Sequence, residues 1–393
     1  MVSLARKNLF DDIPRFLIAQ AGIIFAVSLV SIQLGILKGF TRSTTLLIDR
    51  SNVDIWVASK DLNNFELTLP IFYQRLSQAQ KVQGVARAEA MILKTVIWRK
   101  PSGEITTAEV IGVEPNSQLI SPGTLTQGSL NRLQQPYSVI IDKAALEDLG
   151  VSQVGDQAQV GSLAAKLVGV TQGIQSNASS SYVLTSLESA KAYSRSIPTK
   201  ALSRPNTPAL KPLTTADSIT YVLIKAKPGE DLQALKQRLK AALPNTVAFT
   251  RSELSAQTSL YWEKLTSIGF ILGLGATVGV IVGMVIVGQI LYASVSEHLR
   301  EFGTIRAMGA PNWVAYAIVL EQALWMAILG YLPGMALCLG LGAWTVATQG
   351  VLILITPLMG AEIFAVTVLM CVGSTLFAMH KVTRVDPAVV FKT

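Results

Sequence analysis

Four stretches of this chain carry no Lys, Arg, Asp or Glu: Phe16 to Leu37, Leu265 to Ser296, Gln322 to Ala361 and Ile363 to Met379. A polar block of more than two hundred residues separates the first from the second. About 20 consecutive apolar residues cross the hydrocarbon of a bilayer, whereas buried helices of soluble proteins need only about 10 to 14. Charged residues are 15% of the chain, so uncharged runs of this length predict membrane spans in a one-plus-three order. The mean hydropathy of +0.44 agrees. The expected fold class is an α-helical membrane protein with four transmembrane helices and an α+β extracytoplasmic domain between helices 1 and 2.

The predicted division is an amphipathic segment at 1–15, helix 1 at 16–38, the outer domain at 39–262 with an inserted lobe near 116–216, and helix 2 with its stalk at 263–296. A cytoplasmic loop at 297–313, helix 3 at 314–346, an external loop at 347–360, helix 4 at 361–380 and a tail at 381–393 complete it. Basic residues set the orientation, because cytoplasmic loops are enriched in Lys and Arg. Arg6, Lys7 and Arg15 precede the first span, Arg300 and Arg306 follow the second, and Lys381, Arg384 and Lys392 end the chain, while 346–360 has none. Both termini are therefore expected in the cytoplasm of a multi-pass plasma (inner) membrane protein. Lys38, Arg42 and Arg50 point the other way, but long domains translocate largely regardless of charge. No small-residue cleavage site follows the first run at 38–41, so it reads as a retained anchor rather than a signal peptide.

A net charge of +8 could suggest nucleic acid, but no basic cluster interleaved with aromatics occurs, and basic membrane edges account for the charge. Cys338 and Cys371 both fall in spans, so the outer domain has no disulfides and depends on its own core. His298 and His380 are the only histidines and form no metal-binding spacing. Neither G-x-S-x-G nor a Walker phosphate loop is present. Catalytic residues, a metal site and a resident cofactor are not expected.

In the outer domain, alternation at Val53, Ile55 and Val57 predicts a strand, Leu69–Gln83 a helix, and 85–99 with 104–113 a strand pair turned by Lys100-Pro101-Ser102-Gly103. A strand at 219–226, a helix at 231–243 with Leu232, Leu235, Leu239 and Ala242 on its apolar face, and a strand at 246–250 form a second set. Between the sets, 138–141, a hairpin at 157–170 and 182–184 are strand candidates, and Thr185 with Glu188 offers a capping box. The runs 172–181 and 195–215 read as loops.

The second span holds Gly275, Gly279 and Gly283 four residues apart, a face on which another helix can approach closely. Directly after it, 294–313 reads SVSEHLREFGTIRAMGAPNW, with Val295, Leu299 and Phe302 on one helical face and Glu297, Arg300 and Glu301 elsewhere. Ser296-Glu297, Arg300-Glu301-Phe302-Gly303 and Ile305-Arg306-Ala307-Met308-Gly309-Ala310 resemble the cytoplasmic motif of FtsX/MacB-type ABC transporter permeases. Arg384-Val385-Asp386-Pro387-Ala388, Glu321-Gln322 and the four-span layout resemble that family too, with the general look of its cyanobacterial DevC-like exporter permeases.

The resemblance implies a non-catalytic homodimeric subunit working with a separate ABC ATPase, which binds the ATP and Mg. A periplasmic adaptor (membrane fusion) protein and an outer-membrane channel are the further partners implied. Glu297, Leu299, Arg300, Glu301, Phe302, Gly303, Arg306 and Gly309 would form the ATPase-coupling element. His298 and Leu299 depart from the family's usual basic and small polar pair. Glu321 is the intramembrane polar residue, near enough to the inner interface to reach it. Two functions fit: an exporter of a lipid, glycolipid or peptide, or an FtsX-like signalling subunit that activates an external cell-wall hydrolase. A membrane-anchored enzyme lacks a catalytic constellation, and a proton-driven transporter lacks a relay.

Overall fold

The computed structural model describes residues 12–121, 123–173, 180–197, 207–298, 301, 303–304, 308, 311–349 and 353–383. The chain forms two compact units, Phe40–Leu265 and the remainder. In the membrane unit the long helices are Ile13–Thr44, Ser267–Glu297, Asn312–Gln349 and Pro357–Thr383. Each contains a segment long and apolar enough to cross a bilayer. They share one core, in which Ala19, Ile23 and Ala26 of the first meet Val287 and Leu291 of the second, Ala323 of the third and Met370 of the fourth.

Proline marks two of these helices. The fourth helix begins at Pro357 rather than 361, since proline's missing N–H costs nothing at a first helical position, and Glu362 therefore lies inside the helix. The third helix runs through Pro333, and beside it Ser28 Oγ donates to the Gly334 carbonyl at 3.1 Å. Where the outer unit ends in the chain, the helix Arg251–Leu260 passes into a π-turn at Tyr261–Leu265. Thr266 is extended, which separates the turn from the second membrane helix.

The outer unit is built on strands β1 (Ile55–Ser59), β2 (Ile71–Phe72), β3 (Val85–Arg99), β4 (Ile105–Val113), β5 (Thr124–Gly128) and β6 (Ser138–Asp142). These continue as β7 (Gln157–Val160), β8 (Leu163–Gln172), β9 (Ser181–Ser186), β10 (Ser218–Ile219), β11 (Tyr221–Ala226) and β12 (Thr246–Thr250). Ten of them make one sheet in the order β12-β1-β11-β3-β4-β9-β6-β8-β5, with β7 against β3 and β8; β2 and β10 form a separate pair. Alternation along β3 puts Ala90, Ile92, Val96 and Trp98 in one core and Met91 and Leu93 in the other. Helices Gln74–Gln80, Leu187–Arg195 and Leu232–Ala242 pack on the first face through Leu76, Leu187 and Leu235. Helices Leu46–Arg50 and Arg251–Leu260 cover the second through Ile48 and Leu254.

The strands of the stretch expected as an inserted lobe, 116–216, join this sheet. β3 pairs with β11 through its first half and with β4 and β7 through its second, so the strands of 116–216 extend the same sheet and both cores run through both parts. Three local expectations change. Pro70 restricts Leu69 to extended geometry, so the helix predicted at 69–83 begins only at Gln74. The cap predicted at Thr185 is supplied by Ser186, whose hydroxyl accepts from Ser189 N at 3.2 Å. Ala242 is exposed, and Leu243 takes the buried position.

Candidate functional site

The second membrane helix ends at Glu297, where the coupling motif begins. Ser296 Oγ donates to the Tyr292 carbonyl at 2.6 Å, and both the backbone N–H and Nδ1 of His298 lie within hydrogen-bond distance of the Ser294 carbonyl, at 3.2 and 2.9 Å. Beyond it Glu301 and Thr304 are exposed, Gly303 is buried, and the Met308 N–H closes a turn on the Thr304 carbonyl at 3.0 Å. Met308 and Trp313 are 74% and 67% exposed. Leu299, Arg300, Phe302, Arg306 and Gly309 lie outside the described residues, as do the 1–11 segment and the Arg384–Ala388 motif. Glu297 is already paired inside the chain, with its carboxylate on the guanidinium of Arg15. In the sequence Arg15 reads only as a basic residue; two opposite charges at the neighbouring ends of consecutive spans are the signal for this pair.

The glycine face of the second helix packs on the first helix of the same chain. A methyl group at Gly275 would lie 2.8 Å from Gln33 Nε2, one at Gly279 3.2 Å from Leu29 and Val30, and one at Gly283 2.8 Å from Ala26 Cβ. Close packing of small residues is how helices associate where lipid gives no hydrophobic drive. At the third position the fourth helix also takes part through Met370 Sδ. Glu321 is half-buried in the third helix; the fully buried polar side chain is its neighbour Gln322, 1% exposed.

In the outer unit the perturbed acids have structural surroundings. Burial would push Asp217 up, but hydrogen bonds from Lys191 Nζ at 2.7 Å and from the Thr214 N–H and hydroxyl hold it well below the usual range. It also pairs with Arg195 at 2.7 Å, fastening the returning chain to helix Leu187–Arg195. Glu109 sits between Thr95 of β3 and Tyr182 of β9 in the strand register. Burial, reinforced by Glu66, lifts its carboxyl to about 7 against the Thr95 hydrogen bond of 2.7 Å and the charge of Lys94. Tyr182 donates to Glu66 at 2.7 Å. Among the described residues, no group of three or more His, Cys, Asp or Glu could hold a metal.

A core of β-strands between one apolar helix and three others, with a charged motif after the second, defines a permease-type membrane subunit. Residues 16–242 match the family model of the MacB-like periplasmic core domain, and 273–387 match the FtsX-like permease C-terminal model. The chain belongs to the FtsX/MacB-type ABC permeases, multi-pass inner-membrane proteins with an extracytoplasmic domain. It is 31% identical over 146 residues to the pyoverdine export ATP-binding/permease protein PvdT of Pseudomonas putida, a match covering 37% of this chain and 21% of that protein. This chain thus spans about a fifth of that relative's length. Among solved structures, the periplasmic region of MacB from Actinobacillus actinomycetemcomitans is similar at 10% identity and a TM-score of 0.36, over 52% of this chain and 92% of that one. The extracellular domain of the noncanonic ABC-type transporter YknZ from Gram-positive bacteria is similar at 13% identity and a TM-score of 0.35, over 50% and 98%.

Proposed function

We propose that this chain is the non-catalytic permease subunit of an ATP-driven exporter and that 296–310 seats on a separate ABC ATPase, which binds the ATP and Mg. The observation that carries this reading is the charged motif, of which Glu301, Thr304 and Met308 are exposed, directly after a helix that is packed by its glycine face onto the first helix. Both helices lead in the chain to the outer domain, so a push on the motif has two covalent routes outward. Glu301 supplies charge for register on the ATPase. Exposed Met308, with Leu299 and Phe302 of the motif, supplies apolar anchors.

In this reading the protein is a homodimer with both termini in the cytoplasm. It works with an adaptor and an outer-membrane channel, and the cargo is a lipid, glycolipid or peptide. The export function in the name of the Pseudomonas relative supports export over signalling to an external hydrolase. The test is Glu301→Lys in the full chain with the ATPase that co-purifies with it. Complex formation and stimulated ATP turnover should fall while membrane insertion is kept; unchanged binding and turnover would refute the coupling role.

A further inference from the structure

The first two membrane helices meet along a regular antiparallel ladder. Gln33 lies at Gly275, Leu29 and Val30 at Gly279, and Ala26 at Gly283; Gly22 faces Ile286, whose Cγ2 is 2.5 Å from where its Cβ would be. Each contact is about one helical turn below the last. Continued inward, the ladder ends on Arg15 and Glu297, the last residue of the second helix. Arg15 is itself held from its own side: its N–H donates to Asp12 Oδ1 at 3.1 Å, and its Nε lies 3.7 Å from Asp12 Oδ2. A cavity of about 30 Å³ lies against the pair, lined also by Phe16, Ser294 and His298.

We propose that Arg15 is a positioning residue for coupling: it holds the start of the 296–310 segment to the first helix, so that the ATPase displaces the first two helices as one body. This rests on the coupling reading above. The side chains are 32% and 52% exposed, and screened pairs of this kind add little to stability. What the pair supplies is a fixed register at the one point where the ladder meets the motif. Glu297 thus faces its own chain, not the ATPase.

The experiment uses the full chain with its co-purifying ATPase in lipid nanodiscs and compares Arg15→Glu, Glu297→Arg, the double swap and Glu301→Lys. Arg15→Glu and Glu297→Arg should each lower stimulated turnover at least about fivefold, the lower end of ordinary coupling effects. ATPase affinity should stay within about twofold, which a merely structural loss would not allow, and the double swap should restore most of the turnover, which assigns the loss to the charge pair. If Glu297→Arg abolishes ATPase binding and the swap does not restore it, Glu297 contacts the ATPase and the proposal is wrong. If Arg15→Glu is silent while Glu301→Lys is not, the clamp fails and the coupling reading stands. If all four variants match the native chain, both fall together.

Discussion

Adding a single methyl group at two glycines of the same stripe should give opposite results. In Gly279→Ala the new Cβ would lie 3.2 Å from Leu29 Cδ2 and Val30 Cγ2, the ends of side chains that can yield by a few tenths of an ångström. In Gly283→Ala it would lie 2.8 Å from the Cβ of Ala26, which cannot rotate away, and also against Met370. The helices would have to part there, and overpacking of this kind costs about 1–3 kcal/mol. Replacing a helical glycine by alanine returns up to about 1 kcal/mol through backbone entropy. Gly279→Ala should therefore be neutral or slightly stabilising and Gly283→Ala destabilising by about 1–2 kcal/mol. The unfolding midpoint of purified protein titrated with denaturing detergent measures this. Val278, 47% exposed on the same helix, is the off-face control. Equal midpoints for Gly279→Ala and Gly283→Ala would refute the claim that the stripe is a helix contact of the geometry described.

The raised carboxyl of Glu109 makes the outer domain bind a proton that the unfolded chain has released between the ordinary carboxyl value of 4.5 and about 7. Stability should therefore fall as pH rises through that window, by about 3 kcal/mol at most; Glu109→Gln should flatten the curve in chemical denaturation. Asp217 has the opposite sign, for its depressed value gives stability present above 3.8 and lost as pH falls below it, and Asp217→Asn should remove that acid-side loss. Cysteines at exposed Ser102 and Thr207, in a chain lacking Cys338 and Cys371, should react with an impermeant thiol reagent from outside, and one at Thr304 should not; the reverse pattern would overturn the proposed orientation.

The membrane helices were legible because lipid imposes one requirement on every residue of a span, and the charge-free runs display it directly. The spans' true ends were not, since Pro357 and Glu362 are placed by helix-start geometry and not by hydropathy. β3 and β4 could be read from the turn at Lys100–Gly103, a local signal. The union of 116–216 with the main sheet could not, because it depends on the parallel pairing of β4 with β9, some seventy residues apart in the chain. The glycine stripe was visible in the sequence, while its partner was not. Gly22 and Ala26 lie four apart in the first span, but only the three-dimensional register matches them to Ile286 and Gly283. Arg15 had the same obscurity, as a charge whose partner lies 282 positions away.

β3 has a mechanical consequence. A single fifteen-residue backbone carries the rungs to β11 at one end and those to β4 and β7 at the other. A pull that drags one half of the sheet along β3 loads those rungs side by side, in shear, so none can open alone as it would in a zipper. The outer domain should then move as one stiff body, passing a displacement across the sheet without losing it to stretch along β3.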